Sequence, residues 1–96
     1  MAYPFRGSTS TIATSDAKKL PMSIDGFTLV NKTSGAITAN VYLISGVNLY
    51  NIAPASLAIS AGEMYQGDNP VVMLATEQIR VHVSGQTDYN FYINNI

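Results

Sequence analysis

The sequence lacks cysteine and tryptophan, and it carries few charges of either sign. Without cysteine there is no disulfide frame, no thiolate nucleophile and no Cys-based zinc or iron–sulfur site. Only 11% of the 96 residues are charged, with a net charge of −1, whereas an average soluble domain carries about 25%. A nucleic-acid partner is not expected, because phosphate binding needs a basic face. No membrane partner is expected either, because no apolar run approaches the roughly 18 residues of a span.

Serine, threonine and asparagine take the place of the missing charges and make up 25 of the 96 residues. These residues favour turns and strands over helix interiors. A surface with so little charge is also poorly protected against association, because repulsion between like charges is weak. The composition therefore favours a small β protein that works inside an assembly.

Apolar and polar residues alternate with a period of two from Phe27 to Asn94, between turns that contain Gly or Pro. This pattern predicts seven to eight short strands and no helix. The predicted fold class is all-β: an antiparallel β-sandwich or small barrel with an extended N-terminal arm. The predicted core consists of Phe27, Leu29, Ile37, Val41, Leu43, Leu57, Ile59, Met73, Ile79, Val81, Val83, Tyr89, Phe91 and Ile93.

The N-terminal residues show no clear period, and six of the eight residues from Ser8 to Ser15 are Ser or Thr. We therefore predict an extended arm over residues 1–24 and a sandwich domain over residues 25–96. Tyr3 and Phe5 lie at the outer end of this arm; either a partner buries their rings, or the arm is a frayed terminus without a role. Deletion of residues 2–19 is expected to leave the melting temperature nearly unchanged.

Several predicted strands are apolar on both faces, although a two-layer sandwich buries only one face of each sheet. The surplus residues form pairs two apart in the sequence, as in Tyr42 and Ile44 or Val72 and Leu74. Contiguous exposed apolar residues mark contact sites. With the two aromatic residues of the arm, the predicted interface residues are Tyr3, Phe5, Tyr42, Ile44, Tyr50, Ile52, Val72 and Leu74.

Residues with catalytic or ligand-binding chemistry are scattered along the sequence. His82 is the single histidine, and each carboxylate is isolated from the others. No phosphate-binding glycine loop and no calcium loop occurs. We therefore predict no enzyme activity, no catalytic residue, no cofactor and no metal. The triplet Asn31-Lys32-Thr33 matches a glycosylation acceptor but is interpreted as a strand end. Tyr42, Tyr50 and Tyr92 lie among Asn residues, which keeps binding of sugars by ring stacking open.

Two stretches of the sequence carry a resemblance to a known class of proteins. The first runs from Gly26 to Ile44 and contains Leu29-Val30-Asn31-Lys32. The second contains Leu57-Ala58-Ile59-Ser60-Ala61-Gly62-Glu63 and leads into Gln78-Ile79-Arg80-Val81. Over residues 26–94 the chain resembles small β-sandwich structural proteins of tailed bacteriophages. The resemblance implies a virion structural role without catalysis, on heads or on tails.

The predicted function is that of a capsid decoration (cement) protein that binds the head lattice. The alternatives are an accessory tail or head–tail connector subunit, or a carbohydrate- or receptor-binding module. The expected partners are further copies of the chain and other virion proteins, such as major capsid or tail proteins, since symmetric repetition multiplies weak contacts. The expected location is the virion, after synthesis in the host bacterial cytoplasm.

Overall fold

The computed structural model describes residues 4–96, and all regular structure in this range is β-strand. No helix that is long and apolar enough to cross a membrane occurs in the described range. The strands in chain order are β1 (Phe5–Thr9), β2 (Ile12–Thr14), β3 (Met22–Asn31), β4 (Ile37–Ser45), β5 (Asn48–Asn51), β6 (Leu57–Ile59), β7 (Met64–Gly67), β8 (Val71–Met73), β9 (Gln78–Val83) and β10 (Thr87–Asn95).

The strands form two antiparallel sheets of five strands each, which confirms the predicted β-sandwich. Sheet A has the order β1-β10-β3-β7, and β8 pairs with the other half of β3. Sheet B has the order β2-β9-β4-β5, and β6 pairs with the first part of β4. The two strands beyond the predicted seven to eight are β1 and β2, which lie in the segment predicted as an arm.

The core between the sheets agrees closely with the predicted one. Every predicted core residue is buried except Leu57 and Tyr89, which are partly buried and pack against the core. The sequence prediction did not include Met22, Ile24 or Ala39, which are also buried. Alternation therefore located the core side of the strands from Phe27 onward.

A β-bulge in β3 explains why Met22 and Ile24 were missed. Gly26 pairs with Tyr92 and Ile24 pairs with Ile93, so Asp25 is an extra residue on this strand. Such a bulge reverses which residues face the core, and Ile24 and Phe27 both point inward although they are three residues apart. The predicted boundary between residues 24 and 25 therefore falls inside a continuous strand.

The N-terminal segment joins the two sheets along one side of the sandwich. All five residues of β1 pair with β10 in sheet A, and β2 pairs with β9 in sheet B. Between them, Thr9 Oγ1 donates to Ile12 O and accepts from Thr11 N, both at 3.2 Å. Further along, Ser15 is buried and its hydroxyl accepts from Ile79 N at 2.8 Å. This side of the sandwich is therefore closed by the chain itself.

Three glycines of sheet A lie against aromatic rings. Gly7 faces Tyr89, Gly26 faces Tyr92, and Gly67 faces Phe27 in the strand register. A Cβ added at Gly7 would lie 2.8 Å from the Tyr89 hydroxyl oxygen, and one at Gly67 would lie 2.6 Å from Phe27 Cζ. At Gly7 and Gly67 the ring occupies the space that a side chain would need, whereas at Gly26 the atom nearest to an added Cβ is Gly67 O, at 2.9 Å.

Replacement of Gly67 by alanine is expected to lower the free energy of unfolding by about 1–3 kcal/mol, the usual cost of overpacking. The Phe27 ring has little room to move, because it is buried and stacks on Phe91 at 4.9 Å. Urea denaturation measures the loss. Gly35→Ala is the matched control, because a Cβ there meets no atom within 4 Å. Equal stability of the two variants would contradict the predicted clash.

A buried asparagine connects the ends of β3 and β6. Asn31 is 0% exposed, and its Nδ2 donates to Gly35 O at 2.8 Å, Ile59 O at 3.0 Å and Ser60 O at 3.1 Å. Its Oδ1 accepts from both the backbone nitrogen and the hydroxyl of Thr33, each at 2.8 Å. The side chain is therefore a structural link between the two sheets, and its burial leaves no access for a glycan.

Candidate interaction surfaces

The hairpin of β4 and β5 presents one group of apolar side chains, here called the hairpin surface (Tyr42, Ile44, Val47 and Leu49). Tyr42 and Ile44 point away from the core, and Ile44 pairs directly with Leu49. Val47 lies in the turn between the strands and is 97% exposed. The turn is tight, with Gly46 at a φ of +62°, a conformation that costs glycine little. The apolar side chains are therefore carried by a regular hairpin with a tight turn.

A second apolar group lies on sheet A near the start of β3 and is called the β8 surface (Leu20, Val72, Leu74 and Ile96). Val72 pairs with Ser23 and points outward from sheet A. Leu20 and Ile96 line a common hollow with Pro21 and Asn95. The four apolar side chains are between 54% and 75% exposed. The two surfaces therefore belong to different sheets.

The structure separates the predicted interface residues into groups. Tyr42 and Ile44 belong to the hairpin surface, and Val72 and Leu74 to the β8 surface. Tyr50 pairs with Leu43 at the edge of sheet B and is 52% exposed. Phe5 and Ile52 are partly buried against the sandwich's own core, and Tyr3 lies outside the described residues. Sequence reasoning missed four residues: Leu20, Val47, Leu49 and Ile96.

Phe5 is held by ring contacts within sheet A. Its ring centroid lies 4.8 Å from that of Tyr89 and 5.4 Å from that of Phe91. Such tilted pairs add stability beyond the area that they bury. The Phe5 ring, which the sequence predicted to contact a partner, therefore packs within its own chain.

The structure places the single histidine on β9. His82 is exposed on the outer face of sheet B, and its register neighbours are Ile12 and Asn40. Neither is a carboxylate, the group that orients the histidine of a Ser-His-Asp triad. Between residues 4 and 96, no three His, Asp or Glu side chains come together to hold a metal ion.

Arg80 and Asp25, which lie on different sheets, differ in the hydrogen bonds that their side chains make. On sheet B, Arg80 lies between Thr14 and Tyr42, and its Nε is buried without a hydrogen-bond partner in residues 4–96. On sheet A, the Asp25 carboxylate accepts from Ser23 Oγ at 2.6 Å and from Asn94 Nδ2. These two hydrogen bonds lower the pKa of Asp25 and outweigh the opposing effect of desolvation. Asp25 is therefore held in its charged form.

A cleft of about 360 Å³ opens on the side of the sandwich opposite β1 and β2. One wall comes from the end of β5 and the residues after it, and the other from β7 and the turn that follows. The floor is apolar, with Phe27, Ile52, Ala53 and Tyr65, and the rim carries Asn51, Asp68 and Asn69. The sequence prediction did not identify this cleft, because its two walls are distant in sequence.

Comparison with known proteins gives a likeness in fold but none in sequence. No protein-family model matches the chain, and no curated protein matches it. Among solved structures, the Drosophila NLP-core, described for pentamer formation and histone binding, has a TM-score of 0.62 at 11% identity. That match covers 100% of this chain and 98% of the other.

Two further solved structures are viral. A pentameric capsid protein from metagenomic phage sequences has a TM-score of 0.56 at 12% identity, with 97% of this chain and 61% of that chain covered. A chain of the T13 IBDV viral particle has a TM-score of 0.61 at 10% identity, with 98% of this chain and 29% of that chain covered. The chain thus spans less than two thirds of either capsid chain. At these identities the likeness concerns the fold, and the chain has a β-sandwich of a kind that occurs in viral capsid proteins.

Proposed function

We propose that the chain is a non-enzymatic structural subunit of a bacteriophage virion, and specifically a capsid decoration protein that binds the head lattice. The observation that carries this proposal is the pair of exposed apolar surfaces on opposite sheets of a sandwich with little charge. The similarity in fold to a pentameric phage capsid protein supports a structural role in the virion.

The positions of the two surfaces favour a head-to-tail oligomer. A two-fold dimer uses the same patch on both subunits, whereas a ring uses two different patches on each subunit. The hairpin surface and the β8 surface supply two such patches on every copy. We infer that the hairpin surface of one copy contacts the next copy, and that other virion proteins bind the assembled ring.

Immunogold electron microscopy of the phage particles, with an antibody to this chain, tests the location. Label spread over the head supports the decoration role. Label confined to the tail or neck replaces it with the accessory tail or head–tail connector role. Absence from intact particles overturns the virion proposal.

The double substitution Ile44→Glu with Leu49→Glu is expected to convert the oligomer into monomers. The two residues are cross-strand neighbours, so the substitution places two negative charges on an apolar contact, which costs several kcal/mol if they stay unpaired. Size-exclusion chromatography with light scattering measures the mass, and circular dichroism checks that the variant keeps its β-sheet fold.

The matched control is Thr28→Glu with Gln66→Glu, because these residues are cross-strand neighbours on the outer face of sheet A. We expect this variant to keep the mass of the parent. A parent protein that is itself monomeric, or an oligomer that survives the hairpin substitutions, would argue against the hairpin surface as the subunit contact.

A further inference from the structure

We propose that the cleft between β5 and β7 binds a neutral saccharide, as a mono- or disaccharide unit. This proposal concerns a site separate from the hairpin and β8 surfaces, and it does not depend on the virion role. The volume of the cleft, about 360 Å³, lies in the range of about 300–1,000 Å³ that is typical of small-molecule sites.

The floor of the cleft suits the apolar face of a sugar ring. Phe27 and Tyr65 lie side by side with their ring centroids 6.0 Å apart, tilted by 38°. Phe27 is itself buried, whereas Tyr65 is only partly buried and packs against the core from its inner side. An aromatic side chain of this kind offers a rigid apolar surface together with a phenolic hydroxyl. The C–H face of a pyranose has the matching shape and polarity.

The rim of the cleft suits the hydroxyl groups of the same ligand. Asn51, Asp68 and Asn69 are exposed, and among the described residues none of their side chains makes a hydrogen bond or an ion pair. A sugar hydroxyl both donates and accepts, a carboxamide offers both functions, and a carboxylate accepts through two oxygens. The three side chains therefore supply a mixed set of partners around an apolar floor.

The charge of the lining selects against other ligand classes. Asp68 is the one charged residue among those that line the cleft. Phosphate, nucleotide or carboxylate ligands would meet this carboxylate without a cation to balance it, and like charges repel at short range. A fully apolar ligand would make no hydrogen bond with the three polar side chains of the rim. A neutral ligand rich in hydroxyl groups satisfies both parts of the cleft.

Nuclear magnetic resonance titration of the ¹⁵N-labelled chain tests the proposal directly. The probes are D-galactose, D-glucose, D-mannose and N-acetyl-D-glucosamine, each at millimolar concentrations, with glycerol as a polyol that lacks a ring. We expect at least one sugar to shift the amide signals of residues 51–53 and 65–69 in a saturable way. Glycerol is expected to leave those signals unchanged.

Three variants establish whether the rim binds the sugar. Asp68→Ala and Asn69→Ala are expected to weaken binding about tenfold each, the effect of losing one good hydrogen-bonding group. Asn48→Ala is the matched control, because Asn48 is exposed on β5 outside the cleft. The proposal is overturned if no sugar shifts the cleft amides, if the shifts centre on Tyr42 and Tyr50 instead, or if the rim variants bind as tightly as the control.

Discussion

Replacement of Asn31 by aspartate is expected to lower the free energy of unfolding by about 3–5 kcal/mol, the cost of an uncompensated charge in a protein interior. The change is nearly isosteric, so packing is conserved. The amide nitrogen that now donates to three backbone carbonyl oxygens becomes a carboxylate oxygen that repels them. The loss is comparable to the whole stability of a small domain, which is about 5–15 kcal/mol.

Urea denaturation at several pH values measures this effect and its origin. Burial raises the pKa of a carboxyl group, so the introduced group binds a proton more tightly in the folded than in the unfolded state. The destabilisation is therefore expected to be largest at neutral pH and smaller in acid. Asn48→Asp is the control, because Asn48 is exposed. A loss for Asn31→Asp as small as that of this control would refute the structural role of the buried amide.

Deletion of residues 2–19 is expected to unfold the domain or leave a state without cooperative melting. This reverses the expectation from sequence, since the segment contains one of the two edge strands of each sheet. The deletion removes the pairing of β1 with β10 and of β2 with β9, and it exposes the surface that the Phe5 ring covers. Burial of one phenylalanine alone contributes about 1.5–3 kcal/mol.

Circular dichroism during heating measures the cooperativity of melting. Phe5→Ala isolates one part of the effect and is expected to lower the melting temperature while the fold is retained. Arg6→Ala is its control, because Arg6 is exposed on the same strand. If the truncated chain melts as cooperatively as the parent and at the same temperature, the segment is a detachable arm after all.

The strands from Phe27 onward were predictable because one buried face imposes a strict period of two on the sequence. The same reasoning failed at Asp25, where an inserted residue changes the phase, and the buried Met22 and Ile24 were assigned to the predicted arm. It also failed for β1 and β2, because their inward positions include Gly7, Thr9 and Ala13, which give no apolar period, and because their pairing depends on distant partners. Edge strands of this kind leave only a weak local signal.

The candidate sites were predictable only in part, for a related reason. Tyr42 and Ile44 were recognised because a second apolar face within one strand is visible in the sequence. Leu20 and Ile96 were missed because their proximity depends on how β3, β8 and β10 meet. The role of Asn31 could not be predicted from an Asn-Lys-Thr triplet, because two of the five hydrogen bonds of its side chain reach Ile59 and Ser60 on a distant segment.

The pairing of β1 with β10 also has a consequence for the time course of folding. Phe5 pairs with Phe91 and Thr9 with Thr87, so sheet A is complete only when segments from distant parts of the sequence have met. Chains dominated by such non-local pairing fold slowly, over milliseconds to seconds. During synthesis, β1 has no partner strand until β10 has been made. The edge of β3 that pairs with β10 stays open until then, so newly made chains have their greatest tendency to associate wrongly at this stage.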